Sequence, residues 1–354
     1  MSNKDYLKER FPTLGERLPR IPLASLPTPV RNIEFELDGD SRNISVKCDD
    51  LTGVIYGGNK VRKLEYIFPS AREKNCKRLA TFGAVGSNSA LATALYARQV
   101  GFECTCFLMH QAKTAMIPAT LNMHIQNGTE LIRYGGPYHK RIKTLRDNLW
   151  GRHAWVVPMG GSSWRGTVGF VAAGLELAEQ IARGDIGRPD RIYVGTGTMG
   201  TAVGMALGLA IAELDIEVHA VRASVTDITN ETLMDKLSEK TVTMMRRLDD
   251  SVPADLVNRT RIVLRHGFFG EGYAHSTPEA DEAIAFAKEQ LDIRLESTYT
   301  GKAMAALLND FREPGAEALN VLFWNTYYAM PITVPTDHPL DEQALPEEFL
   351  RYFD

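Results

Sequence analysis

The chain has 354 residues, 44% of them apolar and 24% charged, and a net charge of −4. That length allows about two domains and a sizeable core, while the charge balance excludes the basic footprint of a nucleic-acid binder. The polar N-terminus lacks the apolar run of a secretory leader, and the longest strongly apolar stretch, Met205–Ala212, is far too short to span a bilayer, so the expectation is a cytoplasmic protein with no membrane partner.

Short β-rich apolar runs alternate with longer helical patterns. In chain order the reading is a strand over Arg78–Phe82, a helix over Ser89–Val100, and strands over Cys104–Met109 and Ala154–Pro158. A helix over Thr167–Arg183, a strand over Arg191–Val194, a helix over Thr201–Leu214 and a strand over Glu217–Arg222 follow. Helices over Pro278–Leu291 and Gly301–Phe311 and a last strand over Val321–Trp324 complete it. This alternation predicts the α/β class, with mainly parallel twisted sheets flanked by helices. Six such runs suit two sheets better than one, and no Pro/Ser/Gly linker divides the chain, so two interleaved domains are expected. The four cysteines, Cys48, Cys76, Cys104 and Cys106, form no CxxC, and Cys104 and Cys106 alternate as if on one strand face. They read as reduced thiols rather than a disulfide framework. The eight histidines form no HExxH or HxH cluster, so no metal site is expected.

Ligands of open α/β sheets sit at the carboxyl ends of strands, which directs attention to three turns. Gly57-Gly58-Asn59-Lys60-Val61-Arg62-Lys63 places a lysine at a helix start behind two glycines. Positive charge from Arg62 and Lys63, together with burial, would favour the neutral, nucleophilic amine of Lys60; the alternative is a solvated basic helix start. Gly86-Ser87-Asn88-Ser89 opens a helix whose N–H groups and hydroxyls suit a substrate carboxylate, or whose Ser87, Asn88 or Ser89 is a plain cap. Gly195-Thr196-Gly197-Thr198-Met199-Gly200-Thr201 joins a strand to a helix as a phosphate cup.

The third turn also satisfies the dinucleotide pattern, so an NADP-linked oxidoreductase is a rival reading. The next strand ends in Arg222, not in the acid that holds an NAD ribose, although an arginine suits the extra phosphate of NADP. A non-catalytic binding protein for a small anion would use the loops and have no need of Lys60.

Taken together these segments resemble the fold-type II pyridoxal-phosphate enzymes, whose fold is tryptophan synthase β-like. They are most similar to the family of 1-aminocyclopropane-1-carboxylate deaminase and D-cysteine desulfhydrase. The likeness runs from about Pro22 to Pro331 and is densest over Lys47–Gly101, where GGNKxRKLE stands nearly verbatim. Further blocks follow in order at Pro158–Gly174, Tyr193–Gly204, Phe268–Thr277, Ser297–Ala303 and Leu322–Thr326. The resemblance implies a pyridoxal 5′-phosphate enzyme acting on a small amino acid, a homodimer, and a larger cofactor domain of residues 1–64 plus 171–354 around a smaller inserted domain of residues 65–170.

It also implies roles. Lys60 corresponds to the Schiff-base lysine, which would move the substrate α-proton; Asn88 corresponds to the partner of the cofactor's phenolic oxygen. Ser87 stands beside the reacting substrate, Ser87, Asn88 and Ser89 with Gly161 would hold it, and Thr196, Gly197, Thr198, Met199, Gly200 and Thr201 would hold the phosphate. Tyr273 and Tyr299 match the two active-site tyrosines. At the pyridine nitrogen the ring-opening deaminases carry Glu where this chain has Thr300, and Thr300 with Thr326 is the desulfhydrase-like pair. A neutral hydroxyl keeps that nitrogen protonated less well than a carboxylate, which favours α,β-elimination from D-cysteine or a related β-substituted amino acid over ring opening. The chain departs from the pattern at Gly86, where Gln is usual, and at Tyr327 and Tyr328, where two glycines are usual. Such departures alter the pocket and therefore the substrate.

Overall fold

A computed structural model describes residues 4–328 and 345–353. The last three residues of the family-like stretch, 329–331, lie outside them. In chain order the helices are α1 Tyr6–Arg10, α2 Pro12–Arg17, α3 Lys60–Glu73, α4 Asn88–Gln99, α5 Ile117–Gln126 and α6 Tyr138–Leu149, then α7 Trp164–Ala182, α8 Gly200–Ile211, α9 Glu231–Leu248, α10 Pro278–Gln290, α11 Thr300–Phe311 and α12 Glu347–Leu350. The strands are β1 Val30–Leu37, β2 Asp40–Cys48, β3 Arg78–Ala84, β4 Glu103–Met109, β5 Glu130–Arg133, β6 Ala154–Val156, β7 Arg191–Thr196, β8 Glu217–Arg222, β9 Ile262–Arg265 and β10 Val321–Asn325. The chain divides into two compact units, one of residues up to 66 with 162–328, the other of residues 67–161 with 345–353, in the described range.

The larger unit holds a six-stranded sheet in the order β1-β2-β10-β7-β8-β9. Only the β1–β2 pair is antiparallel; β10, β7, β8 and β9 run parallel in register, with Phe323 opposite Tyr193 and Thr196 opposite Arg222. Central strands of such a sheet are covered on both faces and are therefore apolar almost throughout, as in β10, where all five residues are buried. The β1–β2 hairpin turns at Asp38-Gly39, both with positive φ, the chemistry that matches the twist of a tight hairpin. Helix α8 is buried from end to end. It lies so close to α7 that a Cβ on Gly204 would sit 2.2 Å from the Thr167 carbonyl oxygen, and one on Gly208 2.3 Å from that of Val171. The smaller unit holds a four-stranded parallel sheet, β5-β4-β3-β6. Cys104 and Cys106 share a face of β4 with their sulfurs 4.0 Å apart, and all four cysteines are free thiols.

The β/α alternation and the parallel sheets follow the sequence reading. The β1–β2 hairpin, β5, β9, α5, α6 and α9 were not foreseen, nor were the short α1, α2 and α12. Among the described residues no helix is long and apolar enough to cross a membrane, and no three His, Cys, Asp or Glu side chains gather to hold a metal ion.

Candidate active site

In the larger unit, α3 opens on Lys60 because the chain reverses sharply just before it. Gly58 has φ of +91°, and a Cβ there would press to 2.8 Å from the Thr326 carbonyl oxygen; the Asn59 N–H donates to the same oxygen at 3.3 Å. The end of β10 therefore grips the turn that carries the lysine. Lys60 keeps some accessible surface, as a nucleophile must. Burial of its amine nonetheless lowers the pKa from 10.5 to about 8, against an opposing pull from the Glu296 carboxylate.

Arg62 has no part in that shift, contrary to the expectation from the GGNKxRK motif. Its guanidinium is fully buried on other partners: three bonds to Asp49 at 3.1, 3.0 and 2.7 Å and two to Glu176 at 2.9 and 3.0 Å. Lys47 joins the same Glu176. Burial alone would raise Glu176, but Arg62 and Lys47 overcome it and hold the carboxyl at about 2. The motif is thus no solvated basic helix start. One cation is consumed by structure; another, Lys63, is buried with its pKa pushed well down by burial and then by Lys60.

The cup between β7 and α8 lies against this lysine turn. Asn59 joins the two: its Oδ1 accepts from Lys60 Nζ at 2.8 Å and its Nδ2 donates to Thr201 Oγ1 at 3.0 Å. Met199 takes a left-handed φ of 60° to open α8 and its own side chain makes no capping hydrogen bond at that buried helix start; Ser162 takes the Gly200 N–H, and the first-turn N–H groups beyond it suit a ligand. The Thr196 hydroxyl is buried with no hydrogen-bond partner among the described residues. Ser162 braces the loop from outside, 2.7 Å from the Thr198 hydroxyl, 3.2 Å from the Gly200 N–H and 3.3 Å from Lys63 Nζ. Neither Ser162 nor Lys63 had been singled out for the cup from sequence.

The loop glycines have a second task. A Cβ on Gly195 would lie 2.8 Å from the Tyr299 carbonyl oxygen, and one on Gly197 3.2 Å from its hydroxyl. Tyr299 is thereby seated on the cup, and its hydroxyl donates to that of Tyr273 at 3.4 Å. Burial pushes both phenols up, so they are neutral acids at ordinary pH. Thr300 follows at the start of α11, buried, its hydroxyl accepting from the Glu296 N–H at 2.9 Å. Thr326 adjoins through its carbonyl, as described above. Tyr327 is held near 12 by burial and then by Glu296, and the Tyr328 ring stands 4.9 Å from that of buried Tyr56.

The other expected residues belong to the smaller unit. Ser87 caps α4, accepting from the Ala90 N–H at 3.3 Å. Asn88 begins that helix, and Ser89 is buried within it. Gly161 turns with φ of 65° after β6. The glycine at 86 has a local reason: a Cβ there would meet Gln111 and Ile117 at 3.2 Å, and the Gly86 N–H donates to Gln111 Oε1 at 3.1 Å. Gln111, also missed from sequence, fills the room beside the residue where glutamine is usual.

A buried lysine amine of lowered pKa, tied through Asn59 to a glycine–threonine turn at the carboxyl end of a parallel sheet, fits a phosphate-cofactor enzyme of the α/β class. The chain matches the pyridoxal-phosphate dependent enzyme family over residues 21–326 and belongs to it. It is 32% identical to a putative 1-aminocyclopropane-1-carboxylate deaminase of Pyrococcus furiosus, over 89% of this chain and 93% of that one. It is 32% identical to the nocardicin C-9′ epimerase of Nocardia uniformis, over 87% and 92%. It is 30% identical to a D-cysteine desulfhydrase of Salmonella choleraesuis, over 83% and 88%. Among solved structures, one described as an ACC deaminase homologue is 27% identical, with a TM-score of 0.71 over 89% of this chain and 94% of that one.

The residues fit pyridoxal 5′-phosphate. Lys60 offers an amine for the aldehyde, the first turn of α8 beyond Gly200 and the Thr196 hydroxyl, which has no partner among the described residues, offer donors for the phosphate, and Asn59 holds the two a side chain apart. The NADP reading fails here. The family match sets it aside; Arg222, the residue on which it turned, donates to the Ser224 carbonyl at 2.8 Å and lies 4.3 Å over the Phe269 ring.

Proposed function

We propose that this enzyme is a lyase that performs α,β-elimination on a small β-substituted amino acid, D-cysteine or a relative of it. With water taken up, the products are a 2-keto acid, ammonia and the protonated leaving group. The observation that carries the reading is the Asn59 bridge between the Lys60 amine and Thr201. When bound, pyridoxal phosphate supplies the electron sink that makes the bonds at Cα labile.

The chain's own groups then have distinct tasks. The Lys60 amine would hold the cofactor and, as a free amine, take the α-proton; a pKa of about 8 suits a base at neutral pH. Thr196, Gly197, Thr198, Met199, Gly200 and Thr201 hold the phosphate, with Lys63 and Ser162 beneath them. Tyr273 or Tyr299, both phenols raised by burial and joined by a hydrogen bond from Tyr299 to Tyr273, would polarise the leaving group or pass it a proton. By the family resemblance, Ser87, Asn88, Ser89 and Gly161 would bind the substrate, and Asn88 would serve the cofactor's phenolic oxygen. Thr300 and Thr326 would serve the ring nitrogen. In this reading the larger unit is the cofactor domain and the smaller the inserted one, and the enzyme works as a cytoplasmic homodimer. The likeness of the Thr300 and Thr326 pair to the desulfhydrases supports elimination over ring opening.

Purified protein incubated with pyridoxal phosphate should be yellow, and Lys60→Ala should lose the colour and at least about a thousandfold in turnover. Keto acid and ammonia release should then be assayed across D- and L-cysteine, β-chloroalanine, serine, cysteate and 1-aminocyclopropane-1-carboxylate. Release from a cysteine or β-chloroalanine supports elimination. Turnover of the cyclopropane alone would replace it with ring opening, and inversion at Cα without keto acid would make the enzyme an epimerase.

A further inference from the structure

Thr300 is not a lone hydroxyl. Its Oγ accepts from the Glu296 backbone N–H at 2.9 Å, which leaves it one lone pair and one proton. For that proton two acceptors are in reach, the Glu296 carboxylate Oε1 at 3.3 Å and the Glu296 carbonyl at 3.4 Å. Both bonds are long, so the hydroxyl can turn, and charge assistance favours the carboxylate.

Glu296 itself is fixed. Its Oε1 accepts from the N–H groups of Tyr299 at 2.7 Å and Thr300 at 2.9 Å, and its Oε2 from Thr298 at 2.8 Å. A carboxylate in that position matches the positive end of α11. It also looks into the site. Burial dominates the shifts of Lys60, Tyr273, Tyr299 and Tyr327, yet in all four Glu296 pulls upward. No other carboxylate acts on all four among the described residues.

We infer that Glu296, acting through the Thr300 hydroxyl, keeps the cofactor's ring nitrogen protonated, as a positioning residue in place of a carboxylate in direct contact. This rests on the proposed placing of Thr300 at that nitrogen. With the Thr300 proton turned toward Glu296, the oxygen's free lone pair accepts from a ring N–H. A neutral ring nitrogen would instead need the hydroxyl as donor, and the hydroxyl would have to leave the carboxylate to provide it. One proton cannot serve both, and the negative charge decides which. The expectation that a threonine at position 300 leaves a weak electron sink is thereby revised: the acid is one hydroxyl further away, not missing.

The test is nitrogen-15 NMR of the enzyme reconstituted with pyridoxal phosphate labelled at the ring nitrogen. Wild type should give the pyridinium signal. Glu296→Gln, whose amide oxygen can still cap Tyr299 and Thr300, should move it to the neutral-pyridine position. Thr300→Val should do the same, and the double variant should add nothing. In both single variants kcat should fall about 10- to 100-fold, the worth of one hydrogen bond to a charged group, with KM nearly unchanged, and Glu296→Asp should restore the wild-type signal. A neutral nitrogen in wild type, or a pyridinium signal that survives Glu296→Gln, overturns the relay. Borohydride reduction followed by mass analysis separates the two failures. Cofactor fixed on Lys60 with an unmoved signal sinks only the relay, and no label on Lys60 sinks the site assignment beneath it.

Discussion

Lys60 and Arg62 stand two residues apart in the first turn of α3, and the fold treats these cations in opposite ways. Arg62 meets two carboxylates and a threonine hydroxyl, with Lys47 on the far side of Glu176. Lys60 meets the neutral oxygen of Asn59 and, among the described residues, no ion-pair partner. Burial costs both of them charge stabilisation, but only one is compensated. A compensated charge is structural scaffolding, because removing either side strands the other; an uncompensated one is reactive, because its neutral form is close at hand. Motif spacing alone does not separate them, since both appear as basic residues at a helix start.

The largest way to break this contrast is to remove Arg62. Arg62→Leu leaves Asp49 and Glu176 facing one another with only Lys47 between them, and should cost about 3–5 kcal/mol by denaturant titration. The folded fraction should still turn yellow with cofactor. A loss below about 1 kcal/mol, the range of an exposed ion pair, would show that the buried cluster does not brace the site.

Lys63 tests the boundary between the two classes. It is fully buried, like Arg62, but bonds to Ser162 beneath the cup. Lys63→Met should weaken pyridoxal phosphate binding to the apo-protein about 10- to 100-fold, one charge-assisted hydrogen bond, while leaving pyridoxal, which lacks the phosphate, unchanged. Equal loss for both ligands would make Lys63 a packing residue of the lysine turn.

How much of this was legible depended on range. The parallel strands and their helices declare themselves by local apolar runs, and the three ligand turns by glycine and hydroxyl chemistry within a few residues. The β1–β2 hairpin was legible too, through Asp38-Gly39 between alternating strands, and α9 through its Asn230 cap. Their signals are local, but weaker than the βα pattern around them. Lys63 with Ser162, 99 residues apart, was not legible, because only the folded chain brings a serine under the cup. Arg62 was misjudged for the same reason: Glu176 lies 114 residues away, so the charge looked available when it was spent. Glu296 hid behind Thr300, four residues on, since a helix cap and a relay have the same spacing.

The gentlest test changes only pH. With a folded pKa of about 8 against 10.5 for a free lysine, Lys60 in the apo-protein should be roughly a tenth neutral at pH 7, where an ordinary lysine has about one amine in three thousand free. Competitive acetylation read by mass analysis should therefore show Lys60 labelling with a midpoint near pH 8. The linkage has a definite sign. Between about 8 and 10.5 the unfolded chain binds a proton here that the folded one does not, so this group's burden on stability is full below 8 and lifts as pH rises to 10.5. Glu296→Gln should bring the midpoint below that of wild type, because the carboxylate it removes holds the amine up. Arg62→Leu, in whatever fraction folds, should leave the midpoint where it is, because Asp49 and Glu176 already absorb that charge. A midpoint that climbs on removal of Arg62 would mean the cluster is felt at the amine, through the guanidinium or through the carboxylates it leaves uncompensated, and the division between scaffold and reactive cation in this turn would fail.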